Sequence, residues 1–172
     1  MPTFQEGSLT FTFDDDWQVV KYDDDTFHKK HFKEFAGGSK AVDFVAFGNG
    51  ELWLIEFTDY RRPGSTKPSD LFLEVACKVR ATLAGLVAAK STSHASGDSQ
   101  TKSIAQAALG RTYRLRIALH LEQPTKPSKL FPQAVDPKTA RDKLSQQLRP
   151  VVPHPIVGNM TDFNDLGLWR VT

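Results

Sequence analysis

The spacing of hydrophobic positions changes several times along the chain, and each change predicts an element. Leu9 to Phe13 alternates as Leu-Thr-Phe-Thr-Phe and Trp17 to Tyr22 is also β-prone, so the chain is expected to start with a strand pair across Asp14-Asp15-Asp16. Asp23-Asp24-Asp25-Thr26 forms an N-cap cluster for a helix over 26–35, with Phe27, His31 or Phe32, and Phe35 on one face. Gly37-Gly38 stops that helix. Two β-rich runs, Ala41 to Phe47 and Leu52 to Thr58, then flank Gly48-Asn49-Gly50-Glu51. An Asn-Gly pair between such runs is the strongest short-range hairpin signal. Arg61-Arg62-Pro63-Gly64 ends the second strand.

Ser69 or Asp70 caps a long helix to about Ala89, in which Leu71, Val75, Val79, Leu83 and Leu86 or Val87 recur at helical spacing. Glu74, Lys78 and Thr82 share a second stripe of that helix, where a surface ion pair is the simplest role for the first two. Lys90 to Lys102 has the composition of a mobile loop, Ile104 to Leu109 that of a short helical turn, and Arg111 to Leu121 that of a core strand. Gln123 to Pro132 is a proline-rich loop, and Asp136-Pro137 starts a helix that runs to about Leu148. Leu168 to Val171 closes the pattern as a terminal strand. The expected fold is a single α/β domain spanning 1–172. It has a central mixed sheet of about five strands, helices against its faces and the hairpin at its middle.

A two-residue type I′ loop at Asn49-Gly50 sets residues whose numbers sum to 99 opposite one another, which pairs Asp43 with Glu56. Like charges facing across a sheet cost roughly 0.2–1 kcal/mol when solvated, and more among apolar neighbours. Asp43 shares its face with Val45 and Phe47, and Glu56 shares it with Leu54 and Leu52. A divalent cation with oxygen ligands would reconcile the pair; a solvated strand end, or one protonated member, is the bland alternative.

These residues resemble a known pattern. An Asp on one strand, a short turn, and Glu-x-Lys ending the next form the core of the PD-(D/E)xK phosphodiesterase superfamily, the restriction-endonuclease-like fold. Here the motif reads Asp43 and then Ile55-Glu56-Phe57-Thr58-Asp59-Tyr60-Arg61, similar to the IEVKDYR-type signature of small bacterial proteins, with Thr58 where lysine is expected. Lys21-Tyr22-Asp23-Asp24, Gly38 to Asp43 and Leu73 to Arg80 fit the same pattern, so the resemblance covers roughly the first 90 residues. It implies Mg²⁺ or Mn²⁺ held by Asp43, Glu56 and the main-chain carbonyl of Phe57, with Asp24 as an added ligand from the first helix. It also implies hydrolysis of DNA, with a homodimer if both strands are cut. Lys78 is the candidate to replace the missing lysine; loss of catalysis, or another base, are the alternatives. A nuclease-derived protein that binds nucleic acid or a protein partner without cutting is the rival function.

Composition adds bounds. At 172 residues and 40% hydrophobic content the chain suits one domain with a real core. The single cysteine, Cys77, excludes an intramolecular disulfide and is expected in the core, which favours a reducing cytoplasm. Neither a signal-peptide pattern nor a membrane-length apolar run is present. Residues 1–25 carry seven acids and one base, so the net charge of +2 conceals a basic remainder. Arg61, Arg62 and Lys67, just past the proposed site, could grip phosphate oxygens or simply be solvated. His28 is expected to face solvent and His31 to be partly buried, and Trp53, Tyr60 and Trp169 to pack.

Overall fold

The computed structural model describes residues 1–61, 67–91, 100–110, 112–124 and 135–172. In chain order its elements are β1 (Thr3–Glu6), β2 (Leu9–Thr12), β3 (Gln18–Lys21), α1 (Thr26–His31), a 3₁₀ turn at Phe35–Gly37, β4 (Phe44–Gly48) and β5 (Glu51–Asp59). They continue as α2 (Leu71–Lys90), α3 (Gln100–Leu109), β6 (Arg114–Glu122), α4 (Pro137–Leu148), β7 (Ile156–Gly158), α5 (Met160–Leu166) and β8 (Arg170–Val171). Residues 62–66, 92–99, 111 and 125–134, which take in most of the loops expected over Lys90 to Lys102 and Gln123 to Pro132, lie outside the described residues, while Lys90 belongs to α2 and Gln100 to Lys102 belong to α3.

The architecture is α/β. A five-stranded mixed sheet runs in the order β3-β4-β5-β6-β7, antiparallel through β5 and parallel from β5 to β7. Its helical face buries Val45, Leu52, Leu54, Ile117 and Leu119 against Leu71, Val75, Val79 and Leu86 of α2, with Ile104 of α3 and Leu144 of α4. The other face buries Phe44, Trp53, Ile55 and Ala118. There the covering layer is largely a second sheet, β1-β2-β8, together with Phe163 of α5. Helices therefore dominate one face only.

The two predicted N-terminal strands exist but do not pair with each other. β2 joins β1 and β8 in the small sheet, whereas β3 joins β4 in the large one. Their burial explains the separation. In β2 only Leu9 and Phe11 are buried and the threonines between them are partly exposed, as suits an outer layer; in β3 Val19 and Val20 are both buried, as suits a sheet covered on both faces. Asp25 caps α1 through its carboxylate, which accepts from Phe27 N–H. α3 begins earlier than its apolar pattern suggests, because Thr101, Ala105 and Ala108 complete its buried stripe with little bulk. Strands β1 and β7 and helix α5 gave no periodic signal in the sequence. α5 is instead set by a capping box, in which Asn159 accepts from Thr161 and Asp162 N–H and Asp162 accepts from Asn159 N–H.

The hairpin has the expected register, from Phe44 opposite Ile55 to Gly48 opposite Glu51. Asn49 (φ 52°) and Gly50 (φ 73°) supply the two positive φ values that a type I′ loop requires. A close approach elsewhere fixes α2 against the sheet. A Cβ at Gly85 would lie 2.0 Å from the Tyr22 hydroxyl, which is buried with no hydrogen-bond partner. Gly85→Ala is therefore expected to destabilise the protein by about 1–3 kcal/mol in urea denaturation, and adding Tyr22→Phe to recover most of the loss. Equal stabilities of the single and double variants would contradict this packing.

Candidate functional site

The end of the hairpin is built by β4 leaving the ladder. Counting from the closing pair Gly48 and Glu51, hydrogen-bonded and non-hydrogen-bonded pairs alternate, so Asp43 and Glu56 fall one step beyond the last paired residues at a non-hydrogen-bonded position. Side chains stand closest there. Val42 N–H donates to Thr82 Oγ1 of α2 (3.2 Å) and not to β5. The vacated place in the ladder is taken by the Asp43 carboxylate, whose Oδ2 accepts from Phe57 N–H at 2.6 Å. The N–H and C=O of one strand residue point to the same edge, so the Phe57 carbonyl also faces the gap left by β4.

The charge that reconciles the two acids comes from α2. Lys78 Nζ donates to Glu56 Oε1, with a side chain only 15% exposed. The stripe of Glu74, Lys78 and Thr82 thus fastens the helix to the hairpin: Glu74 accepts from Lys40 (3.0 Å), Lys78 holds Glu56, and Thr82 holds Val42. The expected pairing of Lys78 with Glu74 is secondary, at 4.0 Å. One ammonium cannot balance two buried carboxylates. Burial, opposed by the Lys78 charge and the Phe57 N–H, pushes Asp43 up to about 7. Burial and then the Asp43 charge push Glu56 well above the usual carboxylate range. Lys78 is pulled down by burial, yet the charges of Glu56 and Asp43 prevail and raise it. Glu56 Oε2 is buried with no partner.

Further acids approach Asp43 from the other side. Glu6 on β1, Asp23 after β3, and Asp43 each bring a carboxylate oxygen within 4.8 Å of the other two. Glu6 also pairs with Lys21 at 2.7 Å, and burial raises the Asp23 carboxyl. Of the aspartate run it is Asp23, and not the expected Asp24, whose carboxylate lies near Asp43. Asp24 turns outward to Lys29 (2.9 Å) and Lys21 (3.4 Å), with its side chain 57% exposed, while its neighbour Asp23 turns in. Glu6 had no local signal, since packing of the small sheet alone brings it here.

Thr58 is buried on the strand face of Glu56, two residues on. Arg61 is bound to carboxylates, with Nε 2.8 Å from Asp59 and Nη1 3.4 Å from Glu122. Lys67 is exposed, and Arg62 lies outside the described residues. Two expectations fail: His28 is buried, its Nε2 3.2 Å from the Ser39 carbonyl, and Cys77 is exposed on α2. A polar cluster absent from the sequence reading lies at the carboxyl ends of β5 and β6. His120 Nε2 is 2.8 Å from Glu122 Oε1, which also accepts from Met160 N–H. Its only sequence signal is a pair of polar residues, two apart, ending an apolar strand.

Asp43 ionises at higher pH in the folded than in the unfolded chain, so its contribution favours folding at low pH and is lost as pH rises from about 4 to about 7. Asp43→Asn keeps an acceptor for Phe57 N–H and removes the charge. Without added metal, urea denaturation should find this variant about 1–4 kcal/mol more stable than wild type at pH 8 and nearly equal to it at pH 4.5. A variant less stable at both pH values would show that the carboxylate charge stabilises the fold.

No protein-family model and no solved structure matches the chain. It is similar to the cysteine–tRNA ligase of Neisseria meningitidis serogroup A / serotype 4A (strain DSM 15465 / Z2491), with 30% identity over an alignment taking in 99% of this chain. The chain spans about 29% of the length of that relative.

Proposed function

We propose that the protein is a metal-dependent phosphodiesterase acting on nucleic acid, with DNA as the first candidate substrate and a PD-(D/E)xK-type centre at Asp43 and Glu56. The observation that carries this reading is the buried pair of carboxylates at the open end of the hairpin, with a lysine from the adjacent helix beside them. The residues fit a hard divalent cation, because its ligands are oxygens and several unsatisfied ones converge here. Asp43, Asp23 and Glu6, whose carboxylate oxygens lie within 4.8 Å of one another, would hold it, with the partnerless Glu56 Oε2 and the Phe57 carbonyl as further donors at the same end of the hairpin. Bound Mg²⁺ or Mn²⁺ supplies a more acidic water and neutralises charge developing on phosphate.

The remaining work falls to side chains of this chain. Thr58 stands in the motif's lysine position and brings no cation. Lys78 does, and its ammonium is held by Glu56 close enough to Asp43 to influence its ionisation. In this reading Lys78 orients the attacking water and stabilises the phosphate oxygens as they gain charge. The free cysteine is compatible with a reducing cytoplasm, and no helix among the described residues is long and apolar enough to cross a membrane.

A second reading, a nucleic-acid-binding module that does not cut, draws on Thr58 and on the similarity to part of a ligase named for cysteine and tRNA. RNA then joins DNA as a candidate partner. The two readings separate in one experiment. Mn²⁺ should raise the melting temperature of wild type but not of Asp43→Ala, with the shift growing from pH 6 to pH 8 as Asp43 loses its proton. Plasmid and single-strand substrates should be cut with Mn²⁺ or Mg²⁺, and Lys78→Ala should lower the rate at least 100-fold. A metal response without cleavage supports the binding module, and Lys78→Ala cutting as fast as wild type would remove lysine from the mechanism.

A further inference from the structure

A cavity of about 720 Å³ opens beside the acidic centre. Its lining is sorted by depth. Asp23, Asp43, Glu74 and Lys78 are buried or half-buried at the floor, whereas Lys29, Lys33 and Lys40 are exposed around the rim. Glu34 is the one exposed acid among the lining residues. The floor is therefore rich in oxygen donors suited to a cation, and the rim is rich in ammonium groups suited to an anion. Such segregation matches a ligand that brings phosphates to a metal-bearing floor.

We infer that the rim formed by Lys29, Lys33 and Lys40 is the phosphate-binding track for a single polynucleotide strand, leading one phosphodiester down to Asp43 and Lys78. The inference rests on the metal-dependent reading for its direction, but its own claim concerns binding. The lysines are available. Lys33 has no ion pair among the described residues, Lys29 holds an exposed pair with Asp24, and Lys40 reaches half-buried Glu74 from an exposed position, so phosphate can compete for each ammonium. Arg61 is the less suitable candidate, because its guanidinium already binds Asp59 and Glu122. A cavity of about 720 Å³ lies in the range of roughly 300–1,000 Å³ typical of small-ligand sites, a size that suits one nucleotide unit of a strand entering it. His28 and the Gly37-Gly38 backbone complete the wall between α1 and β4.

The test is fluorescence anisotropy of the full chain, in EDTA, with labelled dT20, rU20 and a 20-base-pair duplex across 50–300 mM KCl. The single strands should bind at least tenfold more tightly than the duplex. Lys29→Ala/Lys33→Ala/Lys40→Ala should weaken strand binding at least tenfold and lower the slope of log affinity against log salt by about 2, since each single-strand phosphate contact contributes roughly 0.7. Replacing the same three residues by Arg should restore both values, with unchanged melting temperatures showing that folding is intact. Asp43→Asn should bind at least as tightly as wild type, which separates the track from the metal centre. Unchanged affinity and slope in the triple alanine variant would overturn the inference even if the wild type cuts. Loss in that variant upholds it even if nothing is cut. Tighter duplex binding would overturn the choice of a single strand, and the two single-strand arms decide between DNA and RNA.

Discussion

The ion pair between Lys78 and Glu56 is the constraint on which this end of the molecule depends. Two carboxylates at the closest kind of cross-strand position, both deeply buried, repel each other and resist ionisation. α2 supplies the ammonium, and that contact ties helix to hairpin. Thr82 repeats the tie one turn further along by taking up Val42 N–H, which releases β4 from its partner and opens the gap that Asp43 fills. Helix docking, strand divergence and the charge state of the site are thus one arrangement, built from a stripe of three polar residues on α2.

That arrangement is also suited to chemistry. A carboxylate brought near neutral pH by burial changes its charge readily, and one whose second oxygen is buried without a partner retains capacity for a ligand. Structural economy alone would remove both features by replacing the acids with apolar residues. Their presence beside a cavity rimmed with lysine is what supports the proposed phosphodiester chemistry.

Much of this was legible in the sequence because the hairpin is a local object. Asn49-Gly50 fixed the loop, the loop fixed the register, and the register paired Asp43 with Glu56 before any tertiary information was used. The helical spacing of Glu74, Lys78 and Thr82 was equally plain. What stayed hidden depends on contacts distant in sequence. Glu6 arrives by packing of a second sheet, and the choice of Asp23 over Asp24 depends on how the chain turns between β3 and α1. The burial of His28 comes from the segment around Ser39, and Cys77 lies on the side of α2 away from the buried stripe of Leu71, Val75, Val79 and Leu86, so neither outcome is legible locally. The second sheet is not legible as such, since β1 is too short to show a period and nothing local tells that β2 and the terminal strand β8 pair with each other outside the central sheet.

The most direct measurement is the pH dependence of urea-denaturation free energy for wild type and Lys78→Met between pH 5 and 8. If the ammonium reconciles the two carboxylates, its removal costs little at pH 5, where they can keep their protons, and about 2–4 kcal/mol at pH 8. A deficit that stays constant across that range would mean that Lys78 contributes packing alone, and the electrostatic account of the site would be wrong.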